Sequence, residues 1–308
     1  MKRILFVKTS SLGDVVHHCP AVSDAAARFP GAAIDWVVEA PFAGVAAMHP
    51  AVRRAIPVSM RSWRNALWHP AVWSEMGAFR RALVAERYDT IIDTQSLVKS
   101  ALVCRFASGT KHGMDRASAR EPLAARFYDV KHPVPRALHA VERNRRLTAA
   151  ALGYALDGEC SYGLRINGAA PARDGYSVLL TMTSRADKLW PEPRWMELGR
   201  ALGTSLVLPW GSDEERARAE RIAGGIKGAS VPGRMSIAQL GELFAGARRV
   251  VGLDTGLTHL AAALGAATVG IYCGSDPART GLYGAAHARN VGAPGRAPEV
   301  TEVLESLA

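Results

Sequence analysis

With 308 residues, 48% of them apolar, the chain has material for one large or two ordinary domains, and no apolar run approaches the roughly 18 residues that a membrane span requires. Four widely spaced cysteines, Cys19, Cys104, Cys160 and Cys273, show neither C-x-x-C spacing nor companion histidines, so a zinc cluster and a redox pair are excluded and ordinary thiols remain. The net charge of +10 is lopsided: residues 1–165 hold 23 Lys and Arg against 14 Asp and Glu, whereas residues 166–308 hold 15 against 14.

A basic first half fits nucleic acid, an anionic membrane surface or an acidic substrate. No zinc finger, RNP-like motif or Lys-rich arm is present, which argues against nucleic acid. The 31 Arg against 7 Lys suit bidentate recognition of phosphate or carboxylate, although the ratio can also be a compositional habit.

The chain opens on a strand-like Arg3–Val7 in place of a signal peptide, so the expected setting is the cytoplasm. A polar loop from Thr9 to Asp14 follows, then a helix. The loop lacks both G-x-G-x-x-G and G-x-x-x-x-G-K-[ST], which discourages a nicotinamide dinucleotide and ATP hydrolysis. Asp14 stands at the mouth of this first β-α corner, where a carboxylate either caps the helix or acts in catalysis. Ile34–Glu39 reads as the second strand and Val52–Val58 as a short edge strand. Arg61, Trp63, Arg64 and Trp68 then come together as either a packed surface helix with snorkelling arginines or an anion-binding rim. Met76, Phe79 and Leu83 carry helical spacing, and Thr90–Gln95 reads as a buried strand with a polar end. Leu138–Leu147 reads as a helix with Leu138, Val141 and Leu147 on one face and Arg143, Arg145 and Arg146 elsewhere, where three arginines are usually a solvated face. The Gly- and Ala-rich stretch Asp157–Gly175 is the expected interdomain linker.

The second half restarts the same grammar. Tyr176–Thr181 is a strand, Met182–Pro191 a polar loop, and Pro193 falls in the first turn of a helix. Leu206–Gly211 reads as a strand leading to a charged helix, and Met235–Leu240 begins another helix. Val250–Leu253 then runs into Asp254, Thr255 and Gly256, with an Ala/Leu-rich helix directly behind. The first N–H groups of that helix have no partner within it and sit at the positive end of its dipole, so the corner suits a diphosphate. Thr255 is the expected cap, Gly256 admits close approach to the backbone, and His259 lies one turn further on the same face. Ala267–Tyr272 is a last strand.

Taken together, Val7–Asp14, Asp35–Glu39, Lys111–Asp115 with Ala119–Ala124, Asp187–Pro191, Leu208–Gly211 and Asp254–Leu260 resemble the lipopolysaccharide heptosyltransferase I family, in order and over nearly the whole chain. The resemblance implies an α/β protein of GT-B type, with two Rossmann-like doubly wound domains and an interdomain cleft. Residues 1–166 would bind the acceptor and 167–308 the nucleotide sugar. The implied reaction is an inverting, metal-independent transfer of L-glycero-D-manno-heptose from ADP-heptose to the Kdo of Kdo2-lipid A, without a cofactor.

Matched position by position, the resemblance makes Asp14 the general base and gives Lys188 a catalytic share. It places the donor among Thr183, Ser184, Lys188, Glu215, Met235, Asp254, Thr255, Gly256 and His259, with Glu214 a rival to Glu215 for the ribose. Arg61, Arg64, Lys99, Arg120 and Arg143 match basic positions used toward the acceptor. The basic half then acquires a reason, peripheral contact with the anionic cytoplasmic face of the inner membrane. The alternatives are a heptosyltransferase of the second or third type acting on a heptose acceptor, a sugar-nucleotide 2-epimerase, and a non-enzymatic binder of anionic glycan or nucleic acid.

Overall fold

The computed structural model describes residues 1–66, 68–166 and 175–307, and the chain separates into two compact units, Met1–Gly163 and Leu164–Ala308. Positions 167–174 of the expected linker lie outside the described residues.

The first unit carries a six-stranded sheet. Its strands are β1 (Arg3–Val7), β2 (Ala33–Glu39), β3 (Val52–Val58), β4 (Arg87–Asp93), β5 (Ser108–Met114) and β6 (Val130–His132). They lie side by side in the order β3-β2-β1-β4-β5-β6, and every pairing is parallel. Helices cover both faces of such a sheet, which is why Ile4–Val7 and Ala33–Glu39 are buried on both sides and read as apolar runs rather than alternations. Val52–Val58 takes the expected edge, where Pro57 costs no ladder bond from a neighbour beyond.

The second unit repeats the plan with β7 (Tyr176–Leu180), β8 (Ser205–Val207), β9 (Ala229–Ser230), β10 (Arg249–Leu253), β11 (Thr268–Tyr272) and β12 (Ala288–Gly292), in the order β12-β11-β10-β7-β8-β9. All pairs are again parallel. Its core joins Leu179, Val251, Leu253 and Ile271 of the sheet to Trp190 and Trp195, whose rings meet edge to face at 5.0 Å. The last helix, Val300–Glu305, packs into this same core through Val300 and Val303, and Trp190 Nε1 donates to Pro298 O at 2.9 Å.

Each sheet is doubly wound, and its strand order reverses next to its first strand, between β1 and β4 and between β7 and β10. Loops leaving the C-terminal ends of those strands border the crevice where such sheets bind ligands. Asp14 and Asp93–Ser96 stand at the first of these points, and Thr183 and Asp254–Gly256 at the second.

Two expectations are corrected. The strand expected over Leu206–Gly211 stops at Val207; Leu208 N still reaches Ser230 O at 2.9 Å, but Pro209 has no N–H to continue the ladder. The trio Arg143, Arg145 and Arg146 is not a solvated face. On the helix Ala140–Leu152, Arg145 is buried and pairs with Asp24 at 2.8 Å and Glu142 at 3.0 Å, Arg143 is half-buried, and only Arg146 keeps to solvent.

Candidate active site

The first unit builds its cluster on the corner after β1. Asp14 is the third residue of the short helix Leu12–Val16, and its Oδ2 accepts the Ser11 N–H at 3.1 Å, so it does cap the helix. It is not consumed by that role. The side chain remains 26% exposed, with Lys8 Nζ 4.0 Å from Oδ1 and an Arg120 guanidinium nitrogen 3.4 Å from Oδ2. A carboxylate with one bonded face, an open face and two cations beside it can receive a proton from a ligand hydroxyl and hold the ligand's own anions nearby.

The corner is fastened from below. Gln95 Oε1 accepts Thr9 N–H at 3.1 Å and Ser10 N–H at 3.2 Å, and Lys8 Nζ donates to Thr94 O at 3.1 Å. Gln95 is in turn held by Asp93, whose buried carboxylate accepts the Gln95 and Ser96 N–H groups and the hydroxyls of Ser100 and Tyr128. Burial pushes the Asp93 carboxyl above its ordinary range despite these four bonds. Gly113 makes room for the Tyr128 ring, since a Cβ there would stand 2.2 Å from it.

Cations crowd this corner. Burial lowers the Lys8 ammonium pKa, and Arg120 and Arg143 lower it further against the pull of Asp14 and Asp93. Arg143 is itself lowered by burial and by Arg136 and Arg120; it donates to Ser118 O at 2.6 Å, and its Nε is buried without a partner. Arg61 and Arg64 are exposed on the helix Met60–Asn65, and Lys99 is half-buried on Val98–Cys104. Arg61 and Lys99 both act on Glu39, a buried carboxylate that closes β2 and that burial shifts upward.

In the second unit, Asp254 is the hub. Its Oδ2 accepts Lys188 Nζ at 2.6 Å and Ser275 Oγ at 2.5 Å, and its Oδ1 lies 3.3 Å from His259 Nε2. Burial alone would raise this carboxyl; the bonds from His259, Lys188 and Ser275 outweigh it and hold the pKa well below the usual range. Thr183 Oγ1 donates to Asp254 O at 3.1 Å and so ties the loop after β7 to the one after β10. Lys188 ends a 3₁₀ turn, Ala186–Lys188, that docks where Gly274 lacks a side chain: a Cβ there would meet Asp187 atoms at 2.7 Å.

The helix behind the corner is Gly256–Ala263, and Thr255 is its N-cap, as expected. The hydroxyl of Thr255 makes no capping bond, however, which corrects its expected role; its extended backbone turns the chain, while Thr258 Oγ1 donates to Leu253 O at 2.7 Å. The N–H groups of Gly256 and Leu257 have no acceptor within the helix. Glu215 Oε2 accepts Gly211 N–H at 2.6 Å at the start of the helix Asp213–Gly224, whereas Glu214 points to solvent. Met235 is half-buried just before the helix Ile237–Gly246, and Ser184 is exposed.

The structure thus gathers Asp14, Arg120 and Arg143 in one unit, and Thr183, Lys188, Asp254, Thr255, Gly256 and His259 in the other. Sequence reasoning passed over Lys8, Arg136 and Ser275. Lys8 directly follows the strand-like run Arg3–Val7 and carries no motif of its own, and Ser275 lies beyond the last strand, where only β10-β11 pairing brings it beside Asp254. Among the described residues, no group of three or more His, Cys, Asp or Glu is placed to hold a metal ion.

The profile of glycosyltransferase family 9 (heptosyltransferase) matches residues 76–304. The chain is 47% identical over 290 residues to lipopolysaccharide heptosyltransferase 1 of Escherichia coli K12, covering 92% of this chain and 91% of that protein. Among solved structures it is similar to E. coli heptosyltransferase WaaC with ADP, with a TM-score of 0.91, 42% identity and coverage of 99% of this chain and 100% of that one. The same enzyme with ADP-2-deoxy-2-fluoro heptose gives a TM-score of 0.88 at the same identity and coverage.

Proposed function

Since this chain belongs to glycosyltransferase family 9, the heptosyltransferases, we propose that it transfers L-glycero-D-manno-heptose from ADP-heptose to the Kdo of Kdo2-lipid A, with inversion and without a metal. The observation that carries this reading is Lys188 held on Asp254 at 2.6 Å beside the N-terminus of Gly256–Ala263. A cation with two free N–H groups, those of Gly256 and Leu257, at the end of parallel strands is a donor set for a diphosphate.

In this reading Asp14 takes the proton of the attacking acceptor hydroxyl. Charge that builds on the departing ADP is met by Lys188 and by the Gly256 and Leu257 N–H groups. Asp254, an anion, does not face the diphosphate; it orients Lys188 and His259. Glu215 takes the ribose hydroxyls with the carboxylate oxygen that Gly211 leaves free, and Thr183, Ser184, Thr255 and Met235 complete the donor site. Arg61, Arg64, Lys99, Arg120 and Arg143 receive the carboxylates and phosphates of the acceptor, with Lys8 and Arg136 added to that set. Such an acceptor would bring the enzyme to peripheral contact with the cytoplasmic face of the inner membrane; among the described residues no helix is long and apolar enough to cross a membrane.

The test is purified protein with ADP-heptose and Kdo2-lipid A, with ADP followed over time and a chelator in a parallel run. Turnover that survives chelation is expected. No ADP release with this pair refutes the reading; release only with a heptose-terminated acceptor assigns a later heptosyltransferase step, and conversion of a nucleotide sugar without acceptor assigns an epimerase.

A further inference from the structure

Trp68 and Trp73 are 78% and 60% exposed, which is unusual for the largest apolar side chain. They flank the start of the helix Pro70–Val84, which buries Val72, Phe79 and Leu83. At helical spacing Trp73, Arg80 and Val84 share another stripe of it, seven and eleven residues apart, and Arg81 borders that stripe. Arg80 and Arg81 are exposed, and Val84 is 50% exposed. This helix and the preceding one form one block: Trp63 Nε1 donates to Glu75 Oε2 at 2.8 Å, and the Trp63 and Phe79 rings lie 5.7 Å apart. The block therefore presents exposed tryptophans together with Arg61, Arg64, Arg80 and Arg81 on its surface, while its single acidic residue, Glu75, is engaged by Trp63.

We propose that this block, with Trp68 and Trp73 as its anchors, is a docking surface for the interface of an anionic bilayer. An indole has a flat apolar body and one N–H, and it settles at the level of lipid headgroups, where each end finds its own medium. The arginines supply attraction to anionic lipid, and their stems cover apolar surface between the rings. Charge complementarity selects a bilayer over a protein partner: the patch combines an excess of cations with exposed rings. The inference rests on the proposed function only for the reason a bilayer matters, that the acceptor is a lipid.

The experiment uses the whole protein and vesicles without any acceptor lipid, so it reads out even if no heptose is transferred. Sedimentation is measured with phosphatidylglycerol-containing and with pure phosphatidylcholine vesicles, and indole fluorescence with lipids brominated near the headgroup. Binding to the anionic vesicles with indole quenching is expected. Trp68→Ala with Trp73→Ala should weaken partitioning about tenfold and abolish most of the quenching. Arg80→Glu with Arg81→Glu, which leaves both rings in place, should weaken it at least about tenfold at physiological salt. Both double variants should retain the melting temperature and the turnover on a detergent-dispersed acceptor. Equal partitioning of the tryptophan variant, binding without quenching, or equal binding to uncharged vesicles would overturn the proposal. Turnover failing in the unmodified protein while the vesicle results hold would instead count against the proposed reaction.

Discussion

At the scale of single residues, the proposed function gives the two clusters different tasks, and each task has its own test. Asp14 accepts the Ser11 N–H, a bond that an asparagine oxygen can keep, and its other neighbours, Arg120 at 3.4 Å and Lys8 at 4.0 Å, are long contacts, so exchanging its charge should leave the corner folded. For Asp14→Asn we expect turnover to fall by about 100- to 10,000-fold, the usual span of general-base catalysis, while ADP binding measured by calorimetry stays within about twofold. Loss of ADP binding would make Asp14 a structural or nucleotide-binding residue. Ser275 is the less obvious case. Its hydroxyl and the Lys188 ammonium bind the same Asp254 oxygen, so it fixes where that carboxylate holds the lysine. Ser275→Ala should cut kcat about tenfold with little change in the acceptor KM, and Ser275→Thr, which keeps the hydroxyl, should restore most of it. A merely structural serine would change the melting temperature instead and would not be rescued. Asp254 is held below its ordinary pKa, so on the acid side the Lys188 pairing fails only as pH falls through that lowered value, and a fall from neutrality to about pH 5 should leave donor binding insensitive to this group.

At the scale of elements, the order of strands and helices was readable because parallel strands buried on both faces leave unbroken apolar runs, and polar loops follow their C-terminal ends. What joins the elements was not readable. Asp35 reads as a strand residue in sequence and is one, on β2, but nothing in the sequence shows that it is fully buried and binds Arg53 at 2.8 Å, Arg54 at 2.6 Å and the Tyr88 hydroxyl at 2.7 Å. Burial would raise its carboxyl, and the bonds from Arg53, Arg54 and Tyr88 outweigh burial, so its pKa lies below the usual range. Removing one partner of a buried pair typically costs about 3–5 kcal/mol, and with both arginines about a third exposed to screening water we expect roughly 2–3 kcal/mol for Asp35→Asn. A depressed carboxylate stabilises above its unfolded pKa and loses that contribution in acid. The difference in unfolding free energy between the variant and the parent, read from urea melts, should thus be constant from pH 8 to 5 and shrink toward pH 3. A gap that does not narrow would mean that the ion pairs are not its source. The reach of such contacts also explains why the arginines of Ala140–Leu152 were misread: Arg145 finds Asp24, 121 positions earlier in the chain, and helical periodicity carries no trace of so distant a partner.

At the scale of the molecule, the division of charge is the property that sequence and structure express in the same terms. The excess of basic residues lies in the half that holds Asp14, Lys8, Arg120, Arg136 and Arg143, while residues 166–308 are nearly neutral, with 15 cationic against 14 acidic side chains. If the first unit takes an acceptor with several anionic groups and the second takes a nucleotide sugar through short-range contacts, salt must act on the two substrates differently. Exposed charges attract over about a Debye length, which shrinks from roughly 10 Å at 0.1 M salt to about 3 Å at 1 M, whereas buried pairs such as Lys188–Asp254 are screened much less. Raising ionic strength from 0.05 to 0.5 M (about one decade) should therefore increase the KM for a soluble anionic acceptor by about tenfold or more, and the KM for the donor by no more than about twofold. Using an acceptor below its micelle-forming concentration keeps lipid aggregation out of the measurement. Equal salt dependence for both substrates would show that the charge of the first half is a matter of solubility, and that the positions matched to the acceptor do not meet it as ions.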